Sequence, residues 1–476
     1  MAKKIIITFL LTFSMLGLTA CQTTHLFNQT SGSDRIASNT LSLQGFPNNP
    51  AFWQANTATI WYNLQRVSLS QLQSAATKTD DPNANSWIKL AIIGKQYSTD
   101  TTQLVNQLMT WRAANPNHTA NTLFPENDVL ISIQNTAPPK HIVLLLPLQG
   151  NLSTSGQAVR DGFLSVYYSS RATNQAQTIS FLDTTNQNIT ALYQHALTQN
   201  ADAIVGPLTK EDVQQLVNAG KFPVPTIALN YTDSWFRSLP THFYEFGLSP
   251  LDEAKQLAEK AKASGHKRAL LIAPNNEWGQ RVAKTVITNW SSLGGTISGT
   301  LYFNDQTDLS QSIASLLHVD PQTDADKMKK ENNKNLLEQQ RRQDFDVIFS
   351  LAPPENARQI LPLLKYYYTG NIPVFSTSII YSGVPAPQKD FDLNGVIFCD
   401  TPWILQMANN AASAKDIRFN RLYAVGRDAY LLSNQMTRLI QLPNFPIYGA
   451  TGALTLTSKQ QIYRRLAWTQ IHDGRP

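Results

Sequence analysis

The sequence predicts an α/β protein of two doubly wound lobes, preceded by a small all-α unit. Apolar runs typical of buried strands alternate with helical stretches from about residue 137 to the end of the 476-residue chain. This alternation starts afresh midway, which indicates a second lobe. Between about residues 46 and 135, apolar residues recur at helical spacing instead.

The first residues are typical of an export signal. Lys3 and Lys4 precede the almost uncharged run Ile5–Leu18, which is shorter than the roughly 20 apolar residues of a membrane-spanning helix. Residues 1–20 are therefore predicted to be a removable signal peptide, and the alternative is an uncleaved anchor or a buried helix.

Leu18-Thr19-Ala20-Cys21 resembles the bacterial lipobox, in which the cysteine becomes the lipidated first residue of the mature chain. Each buried methylene contributes about 0.8 kcal/mol, so two or more acyl chains anchor a protein stably. Gln22 follows, where an aspartate would be the usual cue for staying at the inner membrane. The resemblance implies a location on the periplasmic face of the outer membrane. The other cysteine, Cys399 in VIFCD, is predicted to be a small buried hydrophobic residue.

Residues 21–45 are rich in polar residues and predict a flexible tether behind the lipidated cysteine. Residues 46–136 predict four short helices, and Trp53, Ile60 and Trp61 belong to the first apolar stripe. They suggest two helical hairpins of a tetratricopeptide-like (TPR-like) array. Because fewer than about three repeats are rarely stable alone, we expect this unit to lean on the next domain or on a partner.

Residues 137–476 are predicted to form the bilobed domain, beginning at a proline-rich linker. The predicted strands are HIVLLLPL, TISFLD, ADAIVGPL, PTIALNY, ALLIAP, DVIFSLA, PVFSTS and GVIFCD. The restart lies at RALLIAPNNEWGQRVAKTVITNW, which repeats the strand-and-helix pattern of HIVLLLPL. Two Rossmann-like lobes in one chain describe the type I periplasmic-binding-protein architecture, whose ligands bind in a cleft at the carboxyl ends of the strands.

Composition argues against nucleic-acid binding and enzymatic activity. The formal net charge is +6, Lys3 and Lys4 leave with the signal, and no dense basic stripe is present. The sequence contains no HExxH, CxxC, G-x-S-x-G or glycine-lysine phosphate-loop pattern. We therefore expect no catalytic residues, no metal site and no cofactor.

Polar residues that follow predicted strands are candidates for lining the cleft. The loop after the first strand leads into a helix, whose N-terminal backbone N–H groups could bind a carboxylate or phosphate. The candidates are Ser153, Thr154, Ser155, Gly206, Asn230, Tyr231 and Trp278. The alternative is that Ser153 or Ser155 only caps a helix and the cleft binds no ligand.

Several stretches between about residues 141 and 476 carry a specific resemblance. They include LLLPLQGNLSTSGQAVRDGFLSVYY, IVGPLTKEDVQQL, APNNEWGQRVA, LKYYYTGNIPVFSTSIIYSG, DLNGVIFCDTPWIL and LYAVGRDAYLL, in that order. Together they resemble the LppC/LpoA family of outer-membrane lipoprotein activators of penicillin-binding proteins. The resemblance implies a protein that is not an enzyme, docks on a class A penicillin-binding protein, stimulates its transpeptidase activity and contacts peptidoglycan on the way.

Two alternatives remain open at this point. One is a lipid-anchored periplasmic receptor for a small ligand, such as an amino acid or a cell-wall fragment, and the other is a scaffold between membrane and wall. An open polar cleft would favour the receptor, whereas a cleft plugged by Tyr231 or Trp278 would favour the activator. The helical region is also shorter than the helical arrays of better-known family members, which affects how the chain would span the periplasm.

Overall fold

The computed structural model describes residues 45–170, 177–232, 238–319, 341–367, 369–408 and 420–476. Cys21 and residues 21–44 of the predicted tether lie outside this part of the chain, as does the predicted signal peptide. No helix among the described residues is both long and apolar enough to cross a bilayer.

The first described elements form an all-α unit, which we call the helical unit. Its helices are α1 (Pro50–Trp53), α2 (Thr57–Leu64), α3 (Leu69–Ala76), α4 (Pro82–Gln96), α5 (Thr101–Ala114) and α6 (Asn127–Gln134). The predicted cap is present at Ser68, which forms a reciprocal capping box with Gln71. The first predicted helical stretch, residues 51–67, is divided into α1 and α2. Helices α3 to α5 correspond to the other three predicted ones, whereas α6 was not predicted.

Lobe 1 is built on a five-stranded parallel sheet of order β2-β1-β3-β4-β5. Its elements are β1 (His141–Leu146), α7 (Ser153–Ser170), β2 (Thr178–Asp183), α8 (Ile189–Thr198), β3 (Ala203–Val205), α9 (Lys210–Ala219), β4 (Thr226–Ala228) and β5 (Phe243–Glu245). All but the first residue of β1 are buried, as its continuous apolar run predicts for a strand covered on both faces.

Lobe 2 is built on a six-stranded sheet of order β14-β10-β9-β8-β6-β7, in which only β14 is antiparallel to its neighbour. Its elements are α10 (Pro250–Ala263), β6 (Arg268–Pro274), α11 (Glu277–Ser292), β7 (Thr296–Phe303), α12 (Leu309–Leu317), β8 (Val347–Ser350), α13 (Pro354–Tyr366), β9 (Val374–Ser376), α14 (Pro387–Asp390), β10 (Ile397–Asp400), α15 (Pro402–Met407) and β14 (Ala467–Gln470). The predicted restart is β6 followed by α11.

The chain then returns to lobe 1 before it ends in lobe 2. Helix α16 (Arg421–Gln441) packs on α7, and β11 (Ile447–Tyr448), β12 (Ala453–Leu456) and β13 (Ile462–Arg465) form a third, antiparallel sheet beside it. The two helices approach so closely that a Cβ on Gly162 would lie 2.0 Å from the Tyr423 carbonyl oxygen, and one on Gly426 2.0 Å from that of Val159. The chain thus passes between the lobes after β5, before α16 and between β13 and β14.

Candidate functional site

The predicted cleft loop lies where β1 ends. Helix α7 begins at Ser153, directly after the 3-10 turn Gly150–Leu152, so Ser153 already has helical backbone angles. Ser153 and Ser155 are partly buried and Thr154 is exposed. The structure brings these three residues together on the rim of lobe 1.

Asp183, at the end of β2, holds this loop in place. Its carboxylate accepts hydrogen bonds of 2.9 Å from the Leu148 backbone N–H and of 2.9 Å from the Gln149 side chain. Burial opposes ionisation of Asp183, but these bonds and those from Thr185 outweigh it and lower its pKa. The carboxylate is thus occupied by its own loop, which it orders.

Gly206 and Asn230 shape the turns after β3 and β4. Gly206 is buried with φ of +107°, and a Cβ there would lie 2.2 Å from the Leu145 carbonyl oxygen. The Asn230 amide donates to the Leu208 carbonyl at 3.0 Å and accepts from the Tyr231 backbone N–H at 2.9 Å. The polar atoms of Asn230 therefore serve neighbouring backbone groups.

Tyr231 reaches into the hinge between the lobes. Its hydroxyl lies 3.3 Å from the Gly247 carbonyl oxygen and 3.2 Å from that of Ile462, which lie on or beside the first and third passages between the lobes. Burial raises the pKa of this hydroxyl, so it stays protonated as a donor. Trp278, at the start of α11, is partly buried against the core of lobe 2. Tyr231 and Trp278 thus pack within the protein at separate places.

An arginine and an aspartate tie the second passage to lobe 2. Arg421, the first residue of α16, donates to Asp400 at the end of β10, with distances of 2.9 Å from Nε and 2.5 Å from Nη2. The same guanidinium donates to the Tyr381 carbonyl at 2.9 Å. Asp400 is fully buried, so taking its charge out of water costs free energy. The two hydrogen bonds from the Arg421 guanidinium offset part of that cost.

A second buried pair lies between the first and third passages. Glu253 on α10 accepts from the Ser378 backbone N–H at 3.1 Å, and its other oxygen lies 3.9 Å from Nη2 of Arg464 on β13. Burial raises the pKa of Glu253, and the charge of Arg464 opposes that shift. The charged groups of this hinge are therefore directed at one another.

The described residues lack a metal-ligand cluster, and their one free cysteine is buried. They contain no group of three or more His, Cys, Asp or Glu residues arranged to hold a metal ion. Cys399 is a buried free cysteine, as predicted, and burial raises the pKa of its thiol well above the ordinary value. A buried thiol of this kind is unreactive, because the thiolate is the nucleophile.

The structure also contains a joint that sequence reasoning missed. Residues 442–446, which we call the plug, follow α16 and insert into the core of the helical unit. Leu442 and Phe445 of the plug are fully buried there. The Phe445 ring lies 5.0 Å from that of Trp61 and 5.7 Å from that of Phe124, between ring centroids. The helical unit therefore shares its core with the α/β body, as its expected need for a neighbouring domain predicts.

Hydrogen bonds surround the plug. Trp61 and Gln65 each donate a side-chain N–H to the Asn444 carbonyl oxygen at 2.7 Å. The Asn444 side chain in turn donates to the Leu123 carbonyl at 2.8 Å. These bonds fix the position of the plug in addition to its burial.

Arg438 is a buried cation in the same joint. It donates to the Ser98 carbonyl at 2.7 Å, just beyond the end of α4, and to the Phe445 carbonyl at 3.1 Å, just beyond the end of α16. Burial lowers its pKa to about 10. The two backbone carbonyl oxygens accept hydrogen bonds from the guanidinium, which offsets part of the cost of burying its charge.

A third set of contacts joins the helical unit to β13. The Gln65 carbonyl accepts from Lys95 Nζ at 2.9 Å and from Arg465 Nη2 at 3.0 Å. Lys95 Nζ also lies 4.1 Å from the centre of the Tyr448 ring. Burial, and then the charge of Arg465, lower the pKa of Lys95 to about 7.

The α/β body has two lobes that are joined by three passages of the chain, and each lobe is built on a mainly parallel sheet. This architecture defines a type I periplasmic-binding-protein-like protein. A solved structure of a putative branched-chain amino acid ABC transporter from Chromobacterium violaceum shares this fold, with a TM-score of 0.53, 24% identity and coverage of 70% of this chain and 99% of that one. The family described as "LppC putative lipoprotein" matches residues 35–474, and the chain belongs to this family.

Named relatives and solved structures agree with this family. The penicillin-binding protein activator LpoA of Photobacterium profundum is 27% identical over 424 residues, covering 87% of this chain and 69% of that protein. Full-length LpoA from Haemophilus influenzae matches with a TM-score of 0.57 and 25% identity, covering 90% and 74% of the two chains. Its separate C-domain, described as a regulator of PBP1A, matches with a TM-score of 0.55 and 26% identity, covering 70% of this chain and 98% of the domain. The predicted fold class and family are confirmed.

Proposed function

We propose that this protein is an outer-membrane lipoprotein that docks on a class A penicillin-binding protein and stimulates its transpeptidase activity. The observation that carries the proposal is the match of the α/β body to 98% of a domain described as a regulator of PBP1A, at 26% identity. The named activator from P. profundum, similar over 87% of this chain, supports it. The protein itself would catalyse no reaction.

The hinge supports a docking role over a receptor role. In a receptor, charged and polar groups beside the cleft are available to a ligand. Here Glu253 faces Arg464 and Ser378, and the Tyr231 hydroxyl faces two backbone carbonyls. A small ligand would have to displace partners that these groups already have.

The division of labour in the chain follows from this proposal. Residues 1–20 would be the signal peptide, Cys21 the lipidated anchor, 21–45 the tether, 46–136 the helical domain and 137–476 the docking domain. A flexible tether of this length has a root-mean-square reach of about 25–30 Å, since reach grows as about 5–6 Å times the square root of residue number. The folded part would provide the remaining reach through the peptidoglycan, which it would contact on the way.

Activation then requires a difference in affinity and no chemistry from this chain. A binding protein shifts a two-state enzyme toward its active state only by the difference between its affinities for the two states. A tenfold shift in that equilibrium corresponds to about 1.4 kcal/mol of differential binding. Such a difference is available from a small part of an ordinary protein interface.

Direct binding tests this proposal. The chain from residue 22 onward is immobilised, and a purified class A synthase from the same organism is passed over it, with a class B synthase as the comparison. We expect saturable binding of the class A synthase only. Equal binding of both, or of neither by a folded chain, would contradict the proposal, and screening of amino acids and wall fragments would then test the receptor alternative.

A further inference from the structure

A tryptophan of lobe 2 contacts lobe 1 directly. Trp403 lies in the first turn of α15 and packs on the core of lobe 2. It follows β10, which ends at Asp400 and runs parallel to β9, so it lies near the carboxyl edge of the lobe 2 sheet. Proteins with open α/β sheets bind their ligands in the crevice outside this edge. The tryptophan is therefore on the cleft side of lobe 2.

The Trp403 ring lies against two side chains of α16. It stacks on the Tyr423 ring, with the centroids 5.5 Å apart and an angle of 29° between the ring planes. The Arg427 guanidinium lies 4.4 Å from the centre of a Trp403 ring, within the range of a cation–π interaction. Tyr423 is buried and Arg427 is partly buried. The contact is thus partly shielded from water, which strengthens a cation–π interaction.

The two partners of this ring belong to lobe 1. Helix α16 contributes its apolar face to the core of lobe 1. The Arg427 guanidinium also donates a hydrogen bond of 2.9 Å to the Ser165 hydroxyl of α7. Arg427 is therefore fixed to α7, and a separation of the lobes at this place would take the Trp403 ring away from it.

A backbone hydrogen bond adds to the contact. The Trp403 N–H donates to the Ala450 carbonyl at 3.0 Å, in the turn between β11 and β12. Asp428 of α16 fixes this turn, because its carboxylate accepts hydrogen bonds from the Ala450 N–H at 2.6 Å and from the Thr451 N–H at 2.7 Å. Lobe 1 thus binds both the side chain and the backbone of Trp403.

We propose that Trp403 is a latch that holds the two lobes at one angle through its contacts with Tyr423, Arg427 and Ala450. In hinged binding proteins, domains close around a ligand that contacts both of them. Here a side chain of lobe 2 makes such contacts with lobe 1, so the angle is set without a ligand. The latch goes beyond the proposed function and acts whatever partner the protein binds, because it concerns the free protein.

Distances between the lobes test the latch. Nitroxide labels are placed at Glu211→Cys on α9 and Lys284→Cys on α11, two exposed positions in different lobes, in the full chain in detergent. Cys399 is buried and does not compete for the label. Pulsed electron resonance then measures the distribution of label distances. We expect one narrow distribution in the otherwise unmodified chain, and a broad one would overturn the proposal.

Two variants and a control make the test specific. Trp403→Leu keeps an apolar side chain for the core of lobe 2 but removes the ring, and we expect it to broaden the distribution or shift it by several ångströms. Trp278→Leu is the matched control, because Trp278 packs on the core of the same lobe, and it should leave the distribution unchanged. Arg427→Gln removes the cation on the lobe 1 side and should reproduce the change, which covers the case in which Trp403→Leu fails to fold. A narrow, unshifted distribution in either folded variant, or an equal change in the control, would overturn the latch.

Discussion

Replacing Phe445 with alanine should detach the helical unit from the α/β body. The side chain is 0% exposed and contacts two aromatic rings, of Trp61 and Phe124. Burial of a phenylalanine contributes about 1.5–3 kcal/mol, and each well-placed aromatic pair adds about 0.5–1.5 kcal/mol. These contributions agree with the cost of about 3–5 kcal/mol for truncating a buried phenylalanine.

Hydrogen exchange measured by mass spectrometry suits this prediction, because it reports opening segment by segment. A local loss of about 3–5 kcal/mol corresponds to exchange that is faster by about a hundredfold to several thousandfold. We expect this change in peptides from α2 and α4, which contact the plug, and little change in peptides from β6 and α11 of lobe 2. The plug would then be the main attachment of the helical unit.

Phe391→Ala is the matched control, because Phe391 is 60% exposed. A surface substitution of this kind changes stability by about 0.5 kcal/mol or less. If Phe445→Ala accelerates exchange in the helical unit no more than Phe391→Ala does, the helical unit is stable without the plug, and the reasoning is refuted.

Three further predictions concern charge and anchoring. Lys95 has a pKa of about 7 in the folded protein and an ordinary, higher pKa in the unfolded chain, so the unfolded chain binds more protons between these two pH values. The free energy of unfolding should therefore rise from pH 7 toward pH 10, as urea unfolding would measure. The rise should be smaller in Lys95→Met. Arg464→Met should cost about 3–5 kcal/mol in urea unfolding by leaving the Glu253 carboxylate buried without its cation, and adding Glu253→Gln should recover part of that loss. Cys21→Ser should move the protein from the membrane fraction to the soluble periplasmic fraction, as immunoblotting of fractionated cells would show; retention in the membrane would contradict lipid anchoring.

The strands of the two lobes were predictable because most are continuous apolar runs. Each predicted apolar run contains one strand of the described structure, and these strands are β1 to β4, β6 and β8 to β10. The strands that were missed are short or amphipathic. β5 has three residues and β11 has two, and β7 alternates partly buried and exposed positions from Gly299 to Tyr302. Such segments become strands through pairing with neighbours, which a local pattern does not contain.

The joint could not be predicted from local sequence. The plug reads as an ordinary turn with two prolines, and its partner Trp61 lies 383 residues before Asn444. The same holds for the pair Glu253 and Arg464, whose residue types are common throughout the chain. The need for the joint was nevertheless predictable, because a few short helices cannot bury their apolar faces alone.

The cleft residues were predicted from their place after strands, and the structure shows what that reasoning leaves out. Gly206 is required by its close approach to β1, and Asn230 by the backbone groups that it binds. A residue at the carboxyl end of a strand can serve the turn itself, and only its hydrogen-bond partners distinguish this role from ligand binding.

The central claim, that this protein activates a wall synthase, is tested most directly by the crosslinking rate of a reconstituted class A penicillin-binding protein from the same organism. The assay is run with increasing amounts of the chain from residue 22 onward. A dose-dependent rise in crosslinked product is the predicted result. An unchanged rate, with a folded chain and an active synthase, would contradict the account.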